Sequence, residues 1–327
     1  MHLHRSRGPA AALTSALSLA SVLTLAAALT ACSSAGGSTE ASKAPDTSDT
    51  PAATGSCPAD PLDVVVSVDQ WGDIVENLGG DCATVHTVLA SSSVDPHDYE
   101  PTSSDAVVFD TAQLVVVNGA DYDPWASKLA SNAASKPAVV DAGKVVGAAD
   151  GANPHLWYSP DYVTEVAQAV TDELSKLSPD AAGYFAEQHG TWKSDMQGYF
   201  DLVTKLKDGT DGQTYAATEG VFDYMAQAVG LKDATPEGFA RAASNESDPS
   251  PNDVAAFEKA LQNGDIDVLI YNTQTDGSSP EQIRKVAEEA KVPVVDVTET
   301  VAPGADSFQA WQVDQLTHLA EALGIDV

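Results

Sequence analysis

Short apolar, β-branched runs alternate along this chain with longer stretches in which apolar residues recur every three to four positions. The first run, 62–68, reads Leu-Asp-Val-Val-Val-Ser-Val, the density of a parallel strand covered on both faces. Trp71, Ile74, Val75 and Leu78 follow at helical spacing, and Gly79-Gly80 ends that helix. Segments 85–89, 114–117 and 138–140 are the next strands, separated by helical or loop stretches. This alternation predicts a parallel sheet with helices on both faces.

Beyond residue 158 the pattern turns helical. Ser159-Pro160 supplies a cap and a proline at the first helical position, and Val163, Val166, Ala167, Val170 and Leu174 share one face. From Ser178-Pro179 to about Lys207 the apolar residues Tyr184, Phe185, Trp192, Met196, Phe200, Leu202, Val203 and Leu206 predict one helix of about 28 residues, long for a globular protein. Gly183, Gly190 and Gly198 weaken it, each by roughly 1 kcal/mol. The alternation then resumes, with strands at 213–218, 268–271 and 292–297. Helices start near Val221, at Ser250-Pro251 and at Ser279-Pro280, and a last one carries Phe308, Trp311, Leu316, Leu319 and Leu323. The expected fold is therefore α/β in two lobes, each a parallel sheet flanked by helices, joined by one long helix. The boundaries are 57–177 for the first lobe, 178–208 for the connecting helix and 209–327 for the second.

Residues 1–31 stand outside this pattern. His2, His4, Arg5 and Arg7 form a basic start, an uncharged apolar run follows from Ala10, and Leu29-Thr30-Ala31-Cys32 closes it. That order is a secretory signal peptide. Its ending resembles the bacterial lipobox, which makes Cys32 the lipidated first residue of the mature protein and places the protein on the outer face of the cytoplasmic membrane. Residues 32–56 are rich in Ser, Thr, Gly, Ala, Pro and Asp, bury nothing and read as a flexible tether.

Composition narrows the partners. With 16 basic against 48 acidic residues the formal charge is −32. Such a surface repels nucleic acid and attracts cations, although solubility outside a cell explains it equally well. Once Cys32 is set aside, Cys57 and Cys82 form an even pair in an exported chain, most simply a disulfide. Thiolate ligation is the weaker alternative, since neither lies near a histidine-bearing loop.

The candidate chemistry lies in two Pro-His pairs, in Asp95-Pro96-His97-Asp98-Tyr99-Glu100-Pro101 and in Asn153-Pro154-His155-Leu156-Trp157. Proline stiffens the backbone before each imidazole, and ligands positioned in advance lose less entropy when they bind a metal. In open parallel sheets, ligands gather beyond the carboxyl ends of strands. His97, Glu219 and Glu299 all follow predicted strands, and His155 precedes the connecting helices. Asp95, Asp98, Glu100 and Asp223 are reserve oxygen ligands, and Asp296 and Asp306 are alternatives to Glu299. Of the seven histidines, His86 reads as structural within a strand, and His189 and His318 as lying on solvated helix faces.

These residues carry a resemblance. From about Leu62 to Ile325 the chain resembles the substrate-binding proteins of manganese and zinc ABC transporters, the cluster A-I group. The stretch 95–102 is similar to that family's first ligand loop, and Asn153-Pro154-His155-Leu156-Trp157 to its second. Thr218-Glu219-Gly220-Val221-Phe222-Asp223-Tyr224 is similar to the third, where the family carries His or Glu. Thr298-Glu299-Thr300 falls where the family usually carries Asp, so Glu299 is a departure. The resemblance implies a monomeric protein whose His97, His155, Glu219 and Glu299 hold one divalent ion in a cleft between the lobes. It also implies a rigid helical connector and delivery of the ion to a membrane permease.

Two neutral imidazoles and two carboxylates neutralise a divalent ion. Two chelating carboxylates permit coordination above four, which leans slightly to Mn2+; Zn2+ accepts the same donors. Other readings are a metal-dependent adhesin and a binder of a metal chelate. The chain has no His-Glu-x-x-His, Gly-x-Ser-x-Gly or phosphate-binding glycine loop, so nothing in it points to an enzyme.

Overall fold

The computed structural model describes residues 56–90, 99–275 and 277–327. His97, Asp95, Asp98, Cys32, the signal segment and most of the tether lie outside them. Two four-stranded parallel sheets organise the chain. The first contains β1 (Leu62–Val68), β2 (Ala83–Leu89), β3 (Leu114–Val117) and β4 (Ala138–Asp141) in the order β2-β1-β3-β4. The central strands β1 and β3 are almost wholly buried, which is why they read as continuous Val-rich runs. Around them lie α1 (Asp69–Gly79), α2 (Ser103–Thr111), α3 (Pro124–Asn132) and the single turn α4 (Ala142–Val145). Helix α1 buries Trp71, Ile74, Val75 and Leu78 on one stripe.

Three helices separate the sheets: α5 (Pro160–Leu177), α6 (Ala182–Asp195) and α7 (Gln197–Gly209). Ser159 caps α5 by accepting from the Tyr162 amide, with Pro160 in the first position. The single 28-residue connector expected from the pattern is instead a 3-10 turn at Pro179–Ala181 followed by α6 and α7. The departure is local. Met196 sits at ψ −8° between the two helices, yet bonds from Met196 N to Trp192 O (2.9 Å) and from Phe200 N to Met196 O (3.1 Å) carry the turn through. Gly198, two residues on, removes the side chain that would reinforce a regular helix there.

The second sheet contains β5 (Thr214–Ala217), β6 (Lys232–Asp233), β7 (Val268–Asn272) and β8 (Val294–Val297) in the order β6-β5-β7-β8, the arrangement of the first. Its helices are α8 (Asp223–Ala228), α9 (Glu237–Ser244), α10 (Pro251–Asn263), α11 (Ser278–Ala290) and α12 (Phe308–Leu323). Ser250 and Asp253 form a capping box on α10. Helix α11 begins two residues before the start expected from Ser279 as cap and Pro280 as first residue. Its cap is Gly277 and Pro280 falls third, where a missing N–H costs little because first-turn amides have no intrahelical partner. Helix α12 packs along α7 and β8. The main core runs through both halves, and a second cluster around Phe239, Phe257 and Ile283 lies under α9, α10 and α11.

His189 corrects an expectation. It is buried against Trp192 rather than solvated, and burial together with Lys193 lowers its pKa. Cys57 and Cys82 are bonded, Cα atoms 4.9 Å apart, joining the chain ahead of β1 to the start of β2. Among the described residues no helix is long and apolar enough to cross a membrane.

Candidate metal centre

Two of the candidate ligands lie beyond the carboxyl ends of strands of the second sheet, one beside the point where its strand order reverses and one at its edge. Glu219 follows β5 and Glu299 follows β8. His155 arrives from the first half, just before a 3-10 turn at Leu156–Tyr158. One ligand atom from each of His155, Glu219 and Glu299 lies within 4.8 Å of the others. The His155 Nε2 to Glu299 Oε1 distance is 3.8 Å. Four sequence alternatives are outside the cluster, Asp223 beside it. Glu100 and Asp306 are exposed, Asp296 is bound by Arg284 at 2.6 and 3.2 Å, and Asp223 bonds Tyr215 and Asn153.

The orientation of His155 follows from its neighbour Asn153. The Asn153 side-chain nitrogen donates to the Gly220 carbonyl at 2.6 Å and faces Asp223 Oδ2 at 3.3 Å. Its oxygen therefore turns back to accept from the His155 amide (3.0 Å), and lies 2.7 Å from His155 Nδ1. An amide oxygen only accepts, so Nδ1 carries the hydrogen and the neutral ring keeps its lone pair on Nε2. That Nε2 is buried and has no hydrogen-bond partner among the described residues. An unsatisfied buried acceptor costs about 1–3 kcal/mol, so the arrangement is stable only if something else offsets it. A cation does, and a ligating histidine ordinarily anchors its other nitrogen in this way.

The loop is held firmly. Asn118 Nδ2 donates to the Pro154 carbonyl (2.9 Å), and Asn118 Oδ1 accepts from Trp71 Nε1 (3.0 Å). Trp157, fully buried, meets the His155 ring edge-on at 5.4 Å. Tyr224 donates to the Asn153 carbonyl.

Each carboxylate is also held. Asn272 Nδ2 (2.8 Å) and the Thr275 hydroxyl both donate to Glu219 Oε2. Tyr122 donates to Glu299 Oε1 at 2.7 Å. Burial beside Glu299 raises the Tyr122 pKa far above its ordinary value, so the phenol stays protonated and donates to Glu299 while its oxygen accepts from Gln70 Nε2 at 2.9 Å. The backbone around Glu299 is fixed by Gln274 Oε1, which accepts from the amides of Glu299 (2.6 Å) and Thr300 (3.0 Å), and by Gln70, which donates to the Glu299 carbonyl.

Tyr122 owes its place to an unusual turn after β3. Gly119, Ala120 and Asp121 have φ of 68°, 50° and 62°, three successive left-handed residues of which two carry a side chain. Asp123, fully buried, clamps the turn: Oδ1 accepts from Gly119 N and Oδ2 from Asn118 N, both at 2.8 Å, and Oδ2 also from Ser67. Burial raises the Asp123 pKa, and these three bonds counter it. Sequence reasoning missed Tyr122, Gln70, Asn272, Gln274 and Thr275. Asn153 lay inside a quoted motif without a role, and the available signal was the polar residues that follow β1 and β3, Asp69-Gln70 and Asn118, and the one that ends β7, Asn272.

The chain matches the family model for ZnuA, zinc-uptake complex component A, periplasmic, over residues 64–322. A manganese-binding lipoprotein, MntA, of Halalkalibacterium halodurans is 27% identical over 52% of this chain; the match spans 58% of that relative, under two thirds of its length. The metal ABC transporter substrate-binding lipoprotein SloC of Streptococcus mutans is 23% identical, covering 79% of this chain and 89% of its own. Among solved structures, the substrate-binding protein FpvC of Pseudomonas aeruginosa in complex with Mn2+ superimposes with a TM-score of 0.67 at 20% identity, over 81% of this chain and 98% of FpvC.

Proposed function

This chain belongs to the family of periplasmic A components of zinc-uptake complexes, and from that premise we propose that it captures one divalent transition-metal ion outside the cytoplasmic membrane and passes it to the permease of an ABC transporter. His155, Glu219 and Glu299 hold the ion, with His97 as the fourth ligand. Each imidazole binds as the neutral ring, so two carboxylates balance the charge of the ion. Cys32 carries the lipid that tethers a monomer to the membrane through residues 32–56, with 57–177, 178–208 and 209–327 as first lobe, connector and second lobe.

One observation above all supports this reading: a buried His155 Nε2, its lone pair aimed by Asn153, beside two carboxylates. The 4.8 Å spread of the ligand atoms suits a bare ion and argues against a metal chelate. Protein purified without chelators should carry close to one equivalent of zinc or manganese by elemental analysis. Metal-free protein that ignores both ions would overturn the proposal. Glu299→Ala should lose most of the bound metal; unchanged loading would remove Glu299 from the site.

A further inference from the structure

The carboxylate of Glu219 is not free to use both its oxygens. Oε2 accepts from Asn272 Nδ2 at 2.8 Å and from the Thr275 hydroxyl. A carboxylate offers about four lone-pair sites, two on each oxygen, so two donors fill Oε2. Both donors are fixed by the fold. Asn272 ends β7, is buried, and its Oδ1 accepts from Gln274 N at 3.0 Å, which turns its nitrogen toward Glu219. Thr275, partly buried, lies three residues further along the same loop.

We propose that Thr275 and Asn272 are specificity-determining residues: they restrict Glu219 to one metal-bound oxygen, Oε1, and so bias the site toward zinc over manganese. The inference rests on the reading of this site as a divalent-cation site. Zinc is content with four ligands, whereas manganese gains from additional oxygens. Manganese draws its advantage from chelating carboxylates, and a Glu219 held through Oε2 does not chelate.

Thr275→Val removes the hydroxyl at nearly constant shape, and Thr275→Ser restores it. The full-length protein, stripped of metal, is titrated with Zn2+ and with Mn2+ in competition. Losing a donor also makes Glu219 more basic and tightens both ions, so the readout is the ratio of the two affinities. In Thr275→Val the zinc-over-manganese ratio should fall about tenfold, the scale of one charge-assisted hydrogen bond; in Thr275→Ser it should stay as in the wild type. A ratio unchanged in Thr275→Val while both ions still bind overturns the specificity role and leaves the metal reading intact. Wild-type protein that binds neither ion overturns both. A crystal structure of the zinc-loaded wild type gives a second arm, independent of how the variant folds. Oε2 of Glu219 should stay on Thr275 and Asn272, and a chelating Glu219 there contradicts the proposal.

Discussion

His155 is directed by a residue whose other contacts lie across the site. Asn153 reads the Gly220 carbonyl with its nitrogen and His155 Nδ1 with its oxygen, so the tautomer of one ligand depends on the loop bearing the next. Asn153→Ala should leave the fold intact and weaken metal binding roughly 10- to 100-fold, the usual effect of losing such a partner, as read by calorimetry. Unchanged affinity would mean that the tautomer is set elsewhere. Asp69 gives a second prediction. It lies in the first turn of α1, one of its oxygens is buried without a hydrogen-bond partner among the described residues, and desolvation raises its pKa to about 6 despite a bond from the Val301 amide. A carboxyl whose pKa is higher folded than unfolded binds more protons in the native state, so its stability penalty is absent below about pH 4 and complete above about pH 6. Asp69→Asn should therefore stabilise the protein at pH 7.5 by up to roughly 3 kcal/mol. The gain should fade as the pH falls from 6 to 4. Urea unfolding of both proteins at several pH values checks it; a gain independent of pH would contradict the assignment.

At the scale of elements, the strands were the most legible features because their burial demands uninterrupted Val and Ile. The runs at 62–68 and 114–117 coincide with β1 and β3. Strand β6 was invisible because two exposed residues, Lys232 and Asp233, bury no side chain. The break between α6 and α7 was hinted at by Gly198, but a one-residue change in ψ leaves the apolar spacing untouched. The Pro-His pairs were legible because proline marks the backbone that positions the ring. Tyr122, Gln70, Gln274 and Thr275 were not, since single polar residues in loops reveal partners only when distant segments meet. The turn at Gly119–Asp121 shows what such a loop requires. A Cβ on Gly119 would lie 2.2 Å from Asp141 Oδ1, at φ 68°. Gly119→Ala should cost roughly 1–3 kcal/mol of stability in thermal unfolding, by strain and by the clash. It should also displace Tyr122 from Glu299. An unchanged melting temperature would show that the turn relaxes freely.

Hydrogen bonds between protein groups bridge the two halves around the site. Tyr122 and Gln70 reach Glu299, Asp73 accepts from the Phe308 amide at 2.9 Å, Tyr158 donates to the Thr298 carbonyl at 2.6 Å, and Asn153 reaches Gly220. Burial raises the Tyr158 pKa, which keeps it a donor. With so many bonds between the halves, capture should change side chains more than domain positions. The radius of gyration in small-angle scattering should move by less than about 1 Å on adding metal, as for partners that bind without rearrangement. A larger contraction would mean that the halves open in solution. The central claim is that His155, Glu219 and Glu299 form one cation site, and calorimetric titration of metal-stripped protein tests it most directly. Wild-type protein should bind one equivalent of Zn2+, and His155→Ala should bind it more than roughly 100-fold more weakly, since a ligand counts for more than the residue that orients it. One equivalent bound by His155→Ala with undiminished affinity would contradict the account.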